Sequence, residues 1–325
     1  MMALVFGWGF CYNTVRQTVR NGIAHSNSCV ALALAVYRTE FDKLEFDEEN
    51  MDNKNNNKIT ITIIVVALIL VCVCIFIYPS VYEYQCKTRH FDDFTNKITN
   101  DILESNIVIV KQEKTVTENI TSISWGVGAS GVIFRSDGDT YYALTAYHVV
   151  KDFQNTEYII IPYGAPTYSE YRKSSESYVS SEMYYEQFEK ATIVLIDEEY
   201  DLAVISFESK EPLNVLSVSE DNPNTNEKIA VISNPEGERF VYSFGVITSK
   251  DYYLFESNDK LLPVNTFTHN AYIAPGSSGS AVLNEEMRIV GINIGGGTDF
   301  MNRFKYGAMI PCELIHEFFQ KNSFE

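Results

Sequence analysis

Three short stretches of the chain hold side chains that could carry out acyl transfer. His148 closes the run Ala143-Leu-Thr-Ala-Tyr-His148-Val-Val, and Asp201 opens Tyr200-Asp201-Leu-Ala-Val-Ile-Ser-Phe. Ser278 sits in Ala274-Pro-Gly276-Ser-Ser278-Gly-Ser280-Ala. A serine hydroxyl is a weak nucleophile near neutral pH and needs a neighbouring base to take its proton. An imidazole titrates in the right range to accept that proton and return it to a leaving amine. A carboxylate on the far ring nitrogen fixes the tautomer and stabilises the imidazolium. A glycine-bracketed turn can aim the N–H groups of Gly276 and Ser278 at a developing oxyanion. Gly276 and Gly279 also tolerate positive φ and close substrate approach. Each feature alone is more often structural: a strand-end histidine, a turn aspartate, a flexible Gly-Ser turn. In the order His, Asp, Ser, each at a strand edge, they read as base, orienting acid and nucleophile.

Such groups need rigid strand ends, and the surrounding sequence supplies them. Short strand-like runs bounded by turn signals occur at Gly131–Arg135, Tyr141–Thr145, Tyr158–Pro162, Ala191–Ile196 and Leu202–Phe207. More follow at Lys228–Ser233, Tyr242–Thr248, Ala281–Leu283, Ile289–Ile294 and Lys305–Ile310. With 21 Tyr and 20 Phe against 9 Pro, this texture predicts an all-β barrel or sandwich. Glu313–Lys321 reads as one closing helix, and the Ser-, Tyr- and Glu-rich Ser169–Lys190 as an exposed inserted loop. Phe91, Phe94, Ile98 and Ile102 stand at helical spacing, which predicts a helix over His90–Ser105 packing onto the domain.

The three motifs together resemble the chymotrypsin-fold (trypsin-like) peptidases, and most closely their disulfide-poor, HtrA-like branch. ALTAYHVV is similar to that branch's L-T-A-A-H-V-V, YDLAVI to its D-L-A-V-L, and PGSSGSAVLNEEMRIVGIN to P-G-N-S-G-G-P-L-x-N-x-x-G-x-V-x-G-I-N. Gly126-Val-Gly-Ala-Ser-Gly131-Val-Ile and Ile232-Ser-Asn-Pro235-Glu-Gly also match, so the resemblance spans roughly Ile123 to Pro311. It implies two six-stranded antiparallel β-barrels with the cleft between them. His148 and Asp201 would come from the first, and Ser278 with an oxyanion hole at Gly276 and Ser278 from the second. It also implies a specificity pocket with its base near Tyr272 and walls at Asn293, Ile294, Gly295 and Gly296. No Asp stands at the base position, so Arg/Lys preference is not expected; small or medium aliphatic residues are. Asn293 could equally be a strand residue bonded to backbone, and His269 reads as a strand residue rather than a ligand. Ser277, Ser280 and Ala281 depart from the family's Asn, Gly and Pro without removing a hydroxyl, base or donor. The chain ends soon after the closing helix, so the PDZ module of many HtrA enzymes, and gating by it, is not expected.

Upstream, Ile59–Tyr78 is twenty residues without a charge. As a helix it would extend about 30 Å, a bilayer core's thickness, with Tyr78, Tyr82 and Tyr84 at the interface. A buried helix or strand pair is the alternative, since Ile, Val and Thr favour strands. Lys54 and Lys58 before the span and Lys87 and Arg89 after it give little charge asymmetry. The expected arrangement is single-pass, with the carboxy-terminal domain extracytoplasmic; the sequon Asn119-Ile120-Thr121 is compatible with it. Residues 1–50, ending in the acidic run Glu40–Asn50, read as an extension upstream of a natural start at Met51. The expected organisation is therefore an extension over 1–58, a transmembrane helix over 59–78, and a juxtamembrane helix and linker over 79–118. The protease domain follows over 119–325, its barrels divided near residue 210 and ending near 310.

Charge narrows the partners. The chain carries a net −18, and from Asn119 onward 14 Lys/Arg stand against 29 Asp/Glu. That excludes nucleic acid as an expected partner and disfavours acidic substrates. Of six cysteines only Cys312 lies beyond Cys86, so no disulfide scaffold is expected and a Cys86–Cys312 bridge has nothing to support it. No metal-ligand spacing occurs, and Gly295–Gly297 opens no helix and precedes no Gly-Lys-Ser/Thr, so neither metal nor cofactor is expected. The sequence predicts a membrane-anchored serine endopeptidase acting on proteins or peptides. The alternatives are a viral polyprotein-processing protease and a catalytically silent binding module on a protease fold.

Overall fold

The computed structural model describes residues 53–98, 100–117, 120–154, 156–253, 256–257, 260–261 and 265–324. The extension before Met51 and Asn119 of the sequon lie outside them. Asn53–Cys72 is helical and continues through one π turn, Val73–Ile77, into Tyr78–Thr88. The π turn has a local cause: Pro79 has no N–H to donate one turn back, so the hydrogen-bond ladder changes register there. Ile61–Thr88 is the one helix among the described residues long and apolar enough to cross a membrane, and its most apolar window is not buried.

From Glu83 onward the chain forms a second unit, built mainly of strands. The first seven are β1 (Asn106–Thr117), β2 (Ile120–Trp125), β3 (Ala129–Asp137), β4 (Thr140–Ala146), β5 (Glu157–Ile161), β6 (Thr192–Asp197) and β7 (Leu202–Glu208). They make one antiparallel sheet ordered β2-β1-β3-β4-β7-β6, with β5 on the other edge of β1. These strands form the first barrel, which is incompletely closed and has seven strands where the resemblance implied six. Its β5 and β6 ends meet not in a ladder but through an Ile159–Lys190 bridge and the bonds Ile160 N–H to Glu189 O and Ala191 N–H to Tyr158 O, each 2.8 Å. β1 lies before residue 119, so the stretch expected to be linker contributes a strand.

Eight strands follow: β8 (Lys228–Ser233), β9 (Val241–Tyr253), the small hairpin β10 (Glu256–Ser257) and β11 (Lys260–Leu261), β12 (Thr266–His269), β13 (Ala281–Leu283), β14 (Ile289–Thr298) and β15 (Phe304–Pro311). Six of them close a barrel in the order β12-β15-β14-β13-β8-β9. Alternation along β4 and β7 explains why both read as almost continuously apolar. Ala143, Ala203 and Ile205 face the first barrel's interior with Ile107 and Ile133. Leu144, Leu202 and Val204 point the other way, into a core shared with Ile232, Leu283 and Ile310 of the second barrel and Phe318 of the closing helix. A strand buried on both faces has no polar alternation to show. Cys312–Lys321 forms that helix.

Two expectations are corrected. Ser169–Lys190 is not a plain exposed loop: it holds helices Tyr168–Ser174 and Ser181–Tyr185, and Tyr184 is fully buried with its hydroxyl donating to Pro166 O at 2.6 Å. His90–Ser105 is not one helix but two short ones, Asp92–Thr95 and Asn100–Glu104. Phe94 still packs as expected, buried with its ring 5.5 Å from Phe244.

Candidate active site

His148 and Asp201 stand at neighbouring strand ends. β4 ends at Ala146 and its ladder to β7 pairs Ala146 with Leu202, so the residues just beyond meet. Asp201 adopts φ +50°, a left-handed conformation that Asp reaches more readily than most residues. It is 2% exposed, and its carboxylate takes two hydrogen bonds from one residue: Oδ1 from the His148 backbone N–H at 2.9 Å and Oδ2 from the ring Nδ1 at 2.8 Å. The Asp201 carbonyl also accepts from Tyr147 N–H at 3.0 Å. Both ring and backbone of the histidine are therefore held from one side. Nδ1 donates to the carboxylate, which leaves Nε2 to accept a proton.

Ser278 sits on the turn between β12 and β13. The turn bends through Gly276 (φ +101°) and Gly279 (φ +84°). A Cβ at Gly276 would run into Asn234 O, and one at Gly279 into Ser130 O and the Thr145 hydroxyl, so both positions demand glycine. Main-chain groups of the turn are pinned from behind. Pro275 O accepts from Glu236 N–H at 2.7 Å, Ser277 O from Asn293 Nδ2 at 2.9 Å, and Ser278 O from Ser130 N–H at 2.9 Å. A trans peptide sets its C=O and N–H in opposite directions. Anchoring the carbonyls of Pro275 and Ser277 turns the N–H groups of Gly276 and Ser278 the other way, and neither N–H has a hydrogen-bond acceptor among the described residues. Two unpaired donors flanking a hydroxyl are an arrangement suited to an oxyanion.

His148, Gly276 and Ser278 line one cleft of about 270 Å³, together with Ile109, Lys111, Gly126–Ala129, Val149 and Tyr158. Ser278 Oγ donates to Ile294 O at 3.4 Å and makes no hydrogen bond to His148. The residues expected to form a specificity pocket do not line this cleft. Tyr272 is half-buried, its ring edge-on to Phe304 at 5.4 Å with Lys87 Nζ 4.5 Å above it. Gly295 and Gly296 pair with Ala308 and Gly307 across β14 and β15, and a Cβ on Gly296 would run into Tyr306 O. Asn293 is fully buried. Its Oδ1 lies 3.2 Å from His269 Nε2, so its amide faces protein and not the open cleft. Burial pushes the His269 imidazole down to about 4, against the opposing pull of Asn293 and of the Ala271 backbone. The Ala271 contact falls outside hydrogen-bond geometry, which leaves Nδ1 unpaired.

Sequence reasoning passed over Ser130 and Asn234. Ser130 Oγ donates to Gly276 O at 2.9 Å and accepts from the Asn234 backbone N–H at 3.0 Å. Asn234 Nδ2 reaches Ile107 O at 3.0 Å, and its Oδ1 accepts from Phe240 N–H at 2.9 Å. The available signal was their place inside the GASG and SNPEG stretches, Ser130 where β3 begins and Asn234 just past the end of β8.

The family described as Trypsin-like peptidase domain matches residues 129–292. Among curated proteins, the chain is 28% identical over 168 residues to Serine protease Do-like HtrA of Lactococcus lactis subsp. cremoris, covering 50% of this chain and 36% of that protein. It is 27% identical to Serine protease Do-like HtrB of Bacillus subtilis, covering 50% and 32%. The chain thus spans about a third of the length of these relatives. A solved HtrA-type protease AlgW with decapeptide superposes with a TM-score of 0.53 at 18% identity, covering 70% of this chain and 66% of that one. The same protease with tripeptide gives 0.51 at 20% identity, covering 71% and 64%. At such identity these structures speak for the fold.

Proposed function

The chain belongs to the trypsin-like peptidase domain family, and on that premise we propose that it is a serine endopeptidase that works through Ser278, His148 and Asp201. One observation carries the reading: Ser278, the His148 imidazole held from behind by a buried carboxylate, and a turn residue, Gly276, line one cleft, and the N–H groups of Gly276 and Ser278 are unpaired.

The geometry suggests how the reaction would run. Rotation about the Ser278 χ1 takes its hydroxyl from Ile294 O toward His148 Nε2; contacts of this kind commonly tighten only when substrate binds. Ser278 Oγ attacks the scissile carbonyl as Nε2 takes its proton. Asp201 holds the imidazolium, and the tetrahedral oxyanion sits on Gly276 and Ser278 N–H. The imidazolium returns the proton to the departing amine, leaving an ester on Ser278. Water, deprotonated by His148, then cleaves that ester and restores the serine.

The substrates proposed are proteins or peptides; the similar HtrA-type protease structures were solved with a tripeptide and a decapeptide. The apolar helix over 59–78 is proposed to tether the domain to a membrane with 119–325 on the extracytoplasmic side. Alkaline carbonate extraction tests the tether, since a tethered protein stays with the pellet. Protease accessibility in sealed vesicles reads the side.

A fluorophosphonate probe tests the chemistry. Labelling of the wild-type protein that disappears in Ser278→Ala is the expected result. Folded wild-type protein that takes up no label would favour the silent binding module instead.

A further inference from the structure

Resting on the reading of Ser278 as nucleophile, we infer that Asn293 is a positioning residue for the oxyanion hole, and that His269 sets the orientation of its amide. Asn293 grips the nucleophile turn at three points. Its Nδ2 donates to Ser277 O at 2.9 Å, its carbonyl accepts from Gly279 N–H at 2.8 Å, and its own N–H donates to Ser280 O at 2.9 Å. Ser130 holds the fourth group, the Ser278 carbonyl, at 2.9 Å. Residues 277, 279 and 280 are thus tied to one asparagine, and the Ser278 N–H is left open between them.

The side-chain bond is the one that bears on chemistry. The Ser277–Ser278 peptide is trans, so its N–H points opposite to its C=O. As long as Ser277 O accepts from Asn293, Ser278 N–H is turned toward the cleft. The second bond on Ser277 O, from Ser280 N–H at 3.2 Å, is longer and closes the turn locally. If this peptide flipped, the buried Nδ2 would lose its acceptor, and Ser278 N–H would no longer serve as a donor.

An asparagine amide can present oxygen or nitrogen to Ser277, and the partner behind it decides which. His269 Nε2 lies 3.2 Å from Oδ1, and both residues are fully buried. With Nε2–H donating to Oδ1, the NH₂ group must face Ser277 O. A reversed amide would set Oδ1 against the Ser277 carbonyl, two acceptors face to face. Gly307 makes room for this arrangement: a Cβ there would run into the His269 ring. The ring is therefore built into the barrel wall, far from being an incidental strand residue. It acts on the reaction through Asn293, without touching substrate.

The test compares peptide hydrolysis and Ser278 phosphonylation in wild type, Asn293→Asp, His269→Gln and His269→Leu. Asn293→Asp keeps the shape but turns the donor facing Ser277 into an acceptor. Loss of one oxyanion donor should lower kcat and the phosphonylation rate about 10²-fold with KM changed less than about threefold, the split expected when only transition-state binding is lost. His269→Gln keeps an N–H donor and should retain kcat at least about tenfold above His269→Leu, a rescue that lost packing alone would not give. An inert wild type would overturn the endopeptidase reading itself. An active wild type with Asn293→Asp of equal kcat would overturn this inference alone. If Asn293→Asp does not fold, equal kcat for the two His269 variants overturns it instead.

Discussion

Ser130, at the start of a first-barrel strand, donates its backbone N–H to the carbonyl of Ser278 in the second at 2.9 Å. Its hydroxyl adds a bond to Gly276 O at 2.9 Å. One small residue thus ties the nucleophile turn to the barrel that carries His148 and Asp201. Ser130→Ala keeps the N–H bond but removes the hydroxyl, leaving Gly276 O and the Asn234 N–H short of a partner. Destabilisation of about 1–3 kcal/mol is expected, measured as a lower urea midpoint. A fall in kcat of about tenfold should accompany it as Gly276 loses its fixed orientation. Unchanged kcat would mean that the turn is held without Ser130 Oγ.

Asp201→Asn tests the other half of the site. The amide can still fill the space, but it carries no charge to hold an imidazolium. It also presents an NH₂ group to at least one of the two His148 nitrogens now bonded to carboxylate oxygens. A fall in kcat of about 10⁴-fold is expected, with the fold retained by circular dichroism, because the imidazole takes the wrong tautomer. A fall smaller than tenfold would remove Asp201 from the reaction.

Much of this site was legible because each catalytic candidate lies in a contiguous motif at a strand edge, where residue type and turn chemistry are local. What binds the motifs together was not. Asn234 to Ser130 joins segments 104 residues apart and Asn293 to Ser277 joins a strand to the nucleophile turn, and no periodicity announces either contact. β1 was hidden for a similar reason. Its first half is buried apolar residues, Ile107 to Val110, while Gln112–Thr117 pairs with β2 in a polar hairpin, so no single pattern runs through the strand. β12 is only four residues, Thr266–His269. The tyrosines of 169–190 misled because a tyrosine reads as a surface residue until its ring is covered. Tyr184 is covered by Tyr168, Tyr171 and Phe188, with ring centroids 5.2 to 5.6 Å away.

His269 gives the fold a pH dependence of defined sign. Its imidazole is pushed from 6.5 to about 4 by complete burial. Above pH 6.5 both folded and unfolded chains carry it neutral. Between 6.5 and about 4 only the unfolded chain takes up the proton, so stability falls as pH falls across that window and then levels off. The contribution is roughly 3 kcal/mol. Urea unfolding at pH 7 and pH 4.5 should show a steeper loss for wild type than for His269→Gln, which has no group to titrate there. Parallel losses would place the acid sensitivity elsewhere, in the carboxylates.

Cys86 and Cys312 are both buried, and Cys312 carries a free thiol. Cys312 Sγ donates to Asn222 Oδ1 at 3.3 Å, and burial pushes its thiol up to about 11. The thiolate is the reactive form, so a thiol both covered and held protonated should resist alkylation. Iodoacetamide at pH 8 followed by peptide mapping should leave Cys312 unmodified in native protein and modify it fully in urea. Cys86 sits beneath Arg89, whose Nη2 lies 4.0 Å from its sulfur, and should likewise need unfolding before it reacts. Reductant should leave the midpoint of unfolding unchanged for a domain that holds no bridge between them. A midpoint that falls when reductant is added would show that a disulfide contributes to the fold.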